Sequence, residues 1–129
     1  MKARIAGGDI AYEVRGRGDA VLLLHAFPLG MAMWDAQVDA LEPRFQVVRF
    51  DARGFGGSPP GDGPLTMERI ADDAALLLDH LGVSRAAVCG LSMGGYAALA
   101  LVRRHADRLR ALALCDTRAG ADDGEARSA

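Results

Sequence analysis

Hydrophobic positions along the chain switch repeatedly between a period of two and a period near 3.6. After Gly7-Gly8-Asp9, Ile10, Tyr12 and Val14 alternate with Ala11, Glu13 and Arg15, so the first fifteen residues are expected to form a hairpin. Beyond the Gly16-Arg17-Gly18-Asp19 turn, Val21 to Leu24 is apolar on both faces, as a strand buried between two layers must be. Trp34, Val38 and Leu41 then recur at helical spacing before Pro43, and Gln46 to Phe50 reads as the next strand. From Thr66 the helical signal is stronger. Met67, Ile70, Ala74, Leu77 and Leu81 form one stripe, Thr66 stands at the N-cap and Gly82 just past the end, while Asp72, Asp73 and Asp79 lie off the stripe. Ala86 to Cys89 is another short buried strand, Met93 to His105 an almost wholly apolar helix, and Ala111 to Cys115 a third such strand. This alternation predicts an α/β fold, a mostly parallel sheet of about six strands with helices on both faces and right-handed crossovers.

Composition narrows the function classes. The 129 residues are 50% hydrophobic, enough for one domain with a real core and no need of disulfides or metals. Fifteen basic and 17 acidic side chains leave a net charge of −2, and no basic run exceeds Arg103-Arg104, which argues against nucleic-acid and anionic-membrane partners. The longest apolar run, Tyr96 to Val102, falls far short of the ~20 residues that span a bilayer. The first nine residues lack the apolar stretch of a secretory signal, so a cytoplasmic location is expected. Cys89 and Cys115 each end an apolar run and are expected as buried free thiols; neither has metal-ligand spacing, and no metal or cofactor is expected.

The chemistry concentrates where strands end. Gly90-Leu91-Ser92-Met93-Gly94 is a G-x-S-x-G between a predicted strand and a predicted helix. With 16 glycines in the chain the bare pentapeptide is a weak signal, and its placement makes it strong. A turn sharp enough to lift the serine oxygen clear of the sheet strains Ser92 and brings its flanks close together, which Gly90, Gly94 and Gly95 permit. Ser92 then sits at a helix N-terminus, where N–H groups and the dipole favour developing negative charge. A plain N-cap serine is the bland alternative. His25-Ala26-Phe27-Pro28 leaves the preceding strand at the same carboxyl edge and offers a second N–H donor. The glycines of Asp51 to Ser58 are not spaced G-x-G-x-x-G, and Pro59-Pro60 replaces the helix that would hold a phosphate, so that segment reads as a structural turn.

In these residues the chain resembles the α/β-hydrolase superfamily over Ile10 to about Asp123. The oxyanion loop His-Gly-x-Pro of many members stands as His25-Ala26-Phe27-Pro28, with Ala26 for the usual Gly; the D-x-R-G-x-G-x-S turn stands as Asp51 to Ser58, and the nucleophile elbow as Gly90 to Gly94. The resemblance implies Ser92 as nucleophile, the backbone N–H groups of Met93 and Phe27 as oxyanion hole, and His25 as a loop-bracing residue. Serine at the elbow looks like the esterase, lactonase and cofactor-free haloperoxidase branches.

A serine nucleophile needs a base, and the family order is Ser, then Asp or Glu, then His. After Ser92 the only histidine is His105, about 20 Å away along a helix. His80 lies at the far end of the preceding helix, so no catalytic His is expected in the chain. Asp116 follows a strand from which a minority of the family supplies the acid. The expectation is therefore a truncated fold lacking the last two strands and the lid: residues 1–117 as the amino-terminal part of a single domain and 118–129 as the poorly ordered start of a lid segment. The apolar edge strand Ala111 to Cys115 should be covered by the missing half of the fold or by self-association. The expected activity is cleavage of a small carboxylic ester or lactone through an acyl-enzyme on Ser92, incomplete in this chain. A cofactor-free haloperoxidase or perhydrolase, and a non-catalytic half-domain that self-associates, stand as alternatives.

Overall fold

The opening hairpin forms where the alternation placed it. β1 (Lys2–Ile5) and β2 (Gly8–Arg15) pair antiparallel, with Ile5 opposite Gly8. The computed structural model describes residues 1–5, 7–61 and 63–116. The doubly apolar runs become β3 (Ala20–Leu24), β4 (Gln46–Phe50), β5 (Ala86–Leu91) and β6 (Leu109–Cys115). The six strands form one sheet in the order β1-β2-β4-β3-β5-β6; β2 joins β4 antiparallel, and β4, β3, β5 and β6 run parallel.

Period-two alternation divides the core between the two faces. Leu22, Leu24, Val48, Phe50 and Val88 pack beneath α2 (Met67–Leu81) and α3 (Met93–His105), whose Ile70, Ala74, Leu77, Ala97 and Leu101 are buried there. Leu23 and Val47 point the other way, onto Trp34 and Val38 of the turn Met31–Trp34 and α1 (Asp35–Leu41). Helices thus cover both faces, as expected. α2 is capped as the sequence indicates: Thr66 Oγ1 accepts from Arg69 N at 3.1 Å, and Gly82 takes the left-handed conformation at φ +71. No helix among the described residues is long and apolar enough to cross a membrane.

Three expectations need correction. β5 runs two residues further than predicted, because Gly90 and Leu91 keep their ladder partners Leu114 and Cys115; β6 likewise begins at Leu109. Asp73, off the apolar stripe of α2, is nonetheless buried in a two-point ion pair with Arg53 (Nε–Oδ2 2.6 Å, Nη2–Oδ1 3.0 Å). The helix face that it occupies meets a loop, not solvent. The thiols are not both buried: Cys89 is half-buried and Cys115 exposed, because β6 is the sheet edge and no helix covers its Ala111, Ala113 and Cys115 face among the described residues. A shallow groove of about 200 Å³ runs along that face past Val21, Ala87 and Cys89, and Leu112 is 39% exposed. The expected lid segment, 118–129, lies outside the described residues.

These placements have measurable consequences. Asp73→Ala takes the carboxylate away from the buried Arg53 guanidinium and is expected to cost about 3–5 kcal/mol in urea unfolding. Asp72→Ala, which removes a partly exposed pair with Arg104 and His105 of α3, should cost less, about 1 kcal/mol. Burial first, and then the Cys115 thiol, push Cys89 up to about 11, so near pH 8 iodoacetamide should modify Cys115 well before Cys89 in peptide mapping.

Candidate active site

β3 and β5 lie side by side, with Leu24 paired to Gly90, so the segments that leave them emerge together at the carboxyl edge of the sheet. Out of β5 the chain reverses into α3 within a single residue. Ser92 has φ +53 and ψ −110, and it shares a positive φ with only one other non-glycine among the described residues, Asp116 at +49. An L-residue held there is strained and persists only if its surroundings leave no alternative. Its N–H donates to Cys115 O at 2.9 Å, which ties the turn to the end of β6, and its C=O accepts from Tyr96 N as the first bond of α3. The side chain makes no cap bond to α3, which sets Ser92 apart from a plain N-cap serine.

The flanking glycines have steric reasons to be glycine. A methyl on Gly90 would collide with the Gly94 carbonyl and lie 2.6 Å from Gly95 N; one on Gly94 would collide with the Leu24 carbonyl and lie 2.9 Å from His25 O. The first turn of α3 is therefore seated directly on the end of β3. Met93 N–H, at the start of α3, is one of the donors a helix leaves unsatisfied. Phe27 N–H, in the loop after β3, donates to no backbone acceptor among the described residues.

His25 braces that loop. Its buried ring accepts from Ala52 N at Nε2 (2.9 Å), so Nδ1 carries the hydrogen and donates to Ala26 O at 3.0 Å. Phe55 packs edge-on to His25 at 5.2 Å, and Phe27 edge-on to Phe55 at 5.8 Å. Ala26 is buried, with its N–H on Met33 Sδ at 3.2 Å.

Beneath these loops the Asp51 to Ser58 turn forms a polar web. The Asp51 carboxylate accepts from Met31 N at 2.7 Å and from Gly57 N at 2.9 Å, and Gly56, at φ +50, packs against it where a side chain would not fit. Ser58 Oγ donates to Asp51 O and accepts from Ala11 N, while Arg53 reaches Asp73 and Ile5 O. The segment is a structural turn that binds the loop after β3 to β2 and, through Arg53, reaches β1 and α2. Sequence reasoning missed Asp73 and Phe55 as parts of this support.

Neither of the remaining histidines joins the site. His80, in the last turn of α2, packs edge-on to Tyr12 at 5.9 Å. His105 ends α3 with Nε2 2.8 Å from Asp72 Oδ1; Arg104, followed by His105, holds the Asp72 carboxyl below its usual range. Asp116 follows β6 at the same edge as Ser92 and is exposed. No group of three His, Cys, Asp or Glu suited to a metal occurs among the described residues. A concavity of about 530 Å³ lined by Val83, Ser84 and Arg108 opens at the opposite edge, before β5 and β6, away from this chemistry.

Comparison with known proteins converges on one family. Residues 19–127 match the model of the alpha/beta hydrolase fold. The chain is 35% identical over 114 residues to a protein of Azorhizobium caulinodans provisionally named a carbamate hydrolase, covering 88% of this chain and 43% of that one. It is 30% identical over 130 residues to 3-oxoadipate enol-lactonase 2 of Acinetobacter baylyi, covering 98% and 49%. Among solved structures, a thermophilic esterase from Thermogutta terrifontis with malate bound superimposes with a TM-score of 0.90 at 45% identity, covering 99% of this chain and 49% of the other. The chain thus spans about half the length of the relatives it matches.

The close seat of α3 on β3 has a measurable consequence. Gly94→Ala forces two backbone segments apart and is expected to cost about 3 kcal/mol, the upper end of overpacking losses. Gly82→Ala, which meets open space and only a positive φ, should cost about 1 kcal/mol in the same thermal unfolding assay.

Proposed function

The chain belongs to the α/β-hydrolase fold family, and on that footing we propose that Ser92 is the nucleophile of a hydrolase that opens a carboxylic ester or lactone through an acyl-enzyme. The observation that carries this reading is the backbone of Ser92, φ +53 at a strand-to-helix reversal packed too tightly for side chains at Gly90 and Gly94. Strain of this kind is retained where it aims a reactive group. The names of the relatives, a carbamate hydrolase, an enol-lactonase and an esterase, all imply attack at an acyl carbon and support the reaction class.

In this reading Ser92 Oγ attacks the acyl carbon, and the carbonyl oxygen becomes an oxyanion held by Met93 N–H and Phe27 N–H at the positive end of α3. Collapse of the intermediate breaks the bond to the alkoxide, which leaves with a proton, and water then releases the acid from Ser92. The base comes from outside residues 1–116. His25 spends both ring nitrogens on Ala26 and Ala52, and His80 and His105 pack against Tyr12 and Asp72. Asp116 is the carboxylate that the described residues offer as triad acid. Where the base is not seated, only the oxyanion hole and binding act, worth about 10³–10⁴ over water. The uncovered β6 edge is read as the surface on which further polypeptide or a second copy packs.

A fluorophosphonate probe should form one adduct, mapped by tandem mass spectrometry to Ser92 and absent in Ser92→Ala. An adduct at another residue, or none in a form carrying the relatives' full length, overturns the assignment. Parallel ester assays with and without hydrogen peroxide separate hydrolysis from the peroxide chemistry of a haloperoxidase or perhydrolase.

A further inference from the structure

The peptide groups on either side of Ala26 are held by different means. On the carboxyl side, Ala26 O accepts from His25 Nδ1 at 3.0 Å and from Leu29 N at 2.9 Å. A trans peptide points its N–H opposite to its C=O, so these two bonds set the direction of Phe27 N–H. On the amino side β3 has ended at Leu24, and the N–H of the buried Ala26 donates to a side chain, the thioether Sδ of Met33, at 3.2 Å. A thioether is a weak acceptor, but a buried N–H left with no partner at all costs more.

We propose that Met33 is a positioning residue for the oxyanion hole, its sulfur fixing Ala26 and thereby the aim of Phe27 N–H. The inference rests on the reading of Ser92 as nucleophile and of Phe27 N–H as oxyanion donor. With the peptide before Ala26 held by Met33 and the peptide after it by His25 and Leu29, both backbone dihedrals of Ala26 are set. The carbonyl of the first of these peptides, His25 O, lies against Gly94. The unit that Met33 pins is therefore also the one on which the first turn of α3 sits. The sulfur itself is held. Met33 belongs to the turn Met31–Trp34, in which Met31 N–H donates to Asp51 Oδ1 at 2.7 Å, Met31 O accepts from Arg49 Nη1 at 2.9 Å, and Met33 N–H donates to Gly30 O at 3.2 Å. The Met33 side chain packs on the cluster of Leu23, Trp34, Val38 and Val47. An unbranched thioether spans this gap and presents an acceptor at its far side, where leucine supplies bulk alone.

The test compares two variants. Met33→Leu keeps the volume and removes the acceptor, whereas Met33→Gln offers an amide oxygen at similar reach. Hydrogen exchange read by NMR on the full chain should show the Ala26 amide exchanging about ten-fold faster in Met33→Leu and near the wild-type rate in Met33→Gln. Fluorophosphonate labelling of Ser92 should follow the same order. Its limiting rate should fall about ten-fold in Met33→Leu, because a displaced donor forfeits part of the roughly 10²–10³ that a well-placed one supplies. The half-saturating probe concentration should stay unchanged, and Met33→Gln should restore most of the rate. Met67→Leu, at a half-buried methionine of α2, controls for general loosening and should alter neither measurement. An Ala26 amide indifferent to Met33→Leu, or labelling that keeps its rate while that amide opens, overturns the proposal. Equal losses in Met33→Leu and Met33→Gln reduce Met33 to packing and overturn it as well. Absence of any Ser92 adduct, in this chain and in a form carrying the relatives' full length, overturns the nucleophile reading and this proposal with it. That failure is told apart by an Ala26 amide that still responds to Met33→Leu.

Discussion

The structure depends on how closely the first turn of α3 sits on the end of β3. Gly94 lies against the Leu24 carbonyl with no room for a β-carbon, and Gly90 lies against Gly94 in the same way. That contact forces the reversal between β5 and α3 into one residue, and the strain falls on Ser92. It also fixes the distance from the serine to the loop that begins at His25, since that loop leaves β3 from the carbonyls Gly94 touches. Replace the contact with ordinary helix-to-strand packing and Ser92 becomes a relaxed N-cap, with its side chain turned back on its own helix.

The loops beside that turn are held by a polar web. Asp51, Ser58, Arg53, Asp73 and His25 bind the carboxyl-edge loops to β1, β2 and α2 through bonds to backbone groups that would otherwise be buried without partners. A buried charge pair such as Arg53 with Asp73 is weak evidence for net stability, because desolvation offsets most of its attraction. Its value here is geometric: the bidentate fork admits one arrangement of loop and helix. The His25 ring works similarly, accepting at one nitrogen and donating at the other, so it links two loops only in one orientation.

The opposite flank is built differently. In the sheet β6 pairs with β5 alone, its outer face is small and apolar, and it meets the elbow through the ladder partners Gly90–Leu114 and Leu91–Cys115 and through Ser92 N–H, which donates to Cys115 O. The elbow is thus tied to β6 by backbone pairing and to β3 by the close seat of Gly94 on the Leu24 carbonyl. His25, His80 and His105 are all engaged within the protein, with Ala26 and Ala52, with Tyr12 and with Asp72.

Much of this was legible in the chain. Apolar runs of period two and stripes of period 3.6 mark strands and helices, because burial on one face or two is a local property of spacing, and Thr66 and Gly82 mark the ends of α2 because caps are local chemistry. The elbow was legible for the same reason: glycines at fixed offsets from a serine, between a strand and a helix, admit few conformations. Asp73, Phe55 and the exposure of Cys115 were not legible. Asp73 is off its helical stripe and would be solvated on an isolated helix; it is buried only because Arg53 arrives from a loop 20 residues away. Cys115 ends an apolar run that reads as buried, and it is exposed only because the sheet order leaves β6 at an edge. Spacing along a chain reports which faces are apolar, while the partner of a buried charge and the cover over a strand depend on which distant segments meet, and that is settled by the packing of the whole.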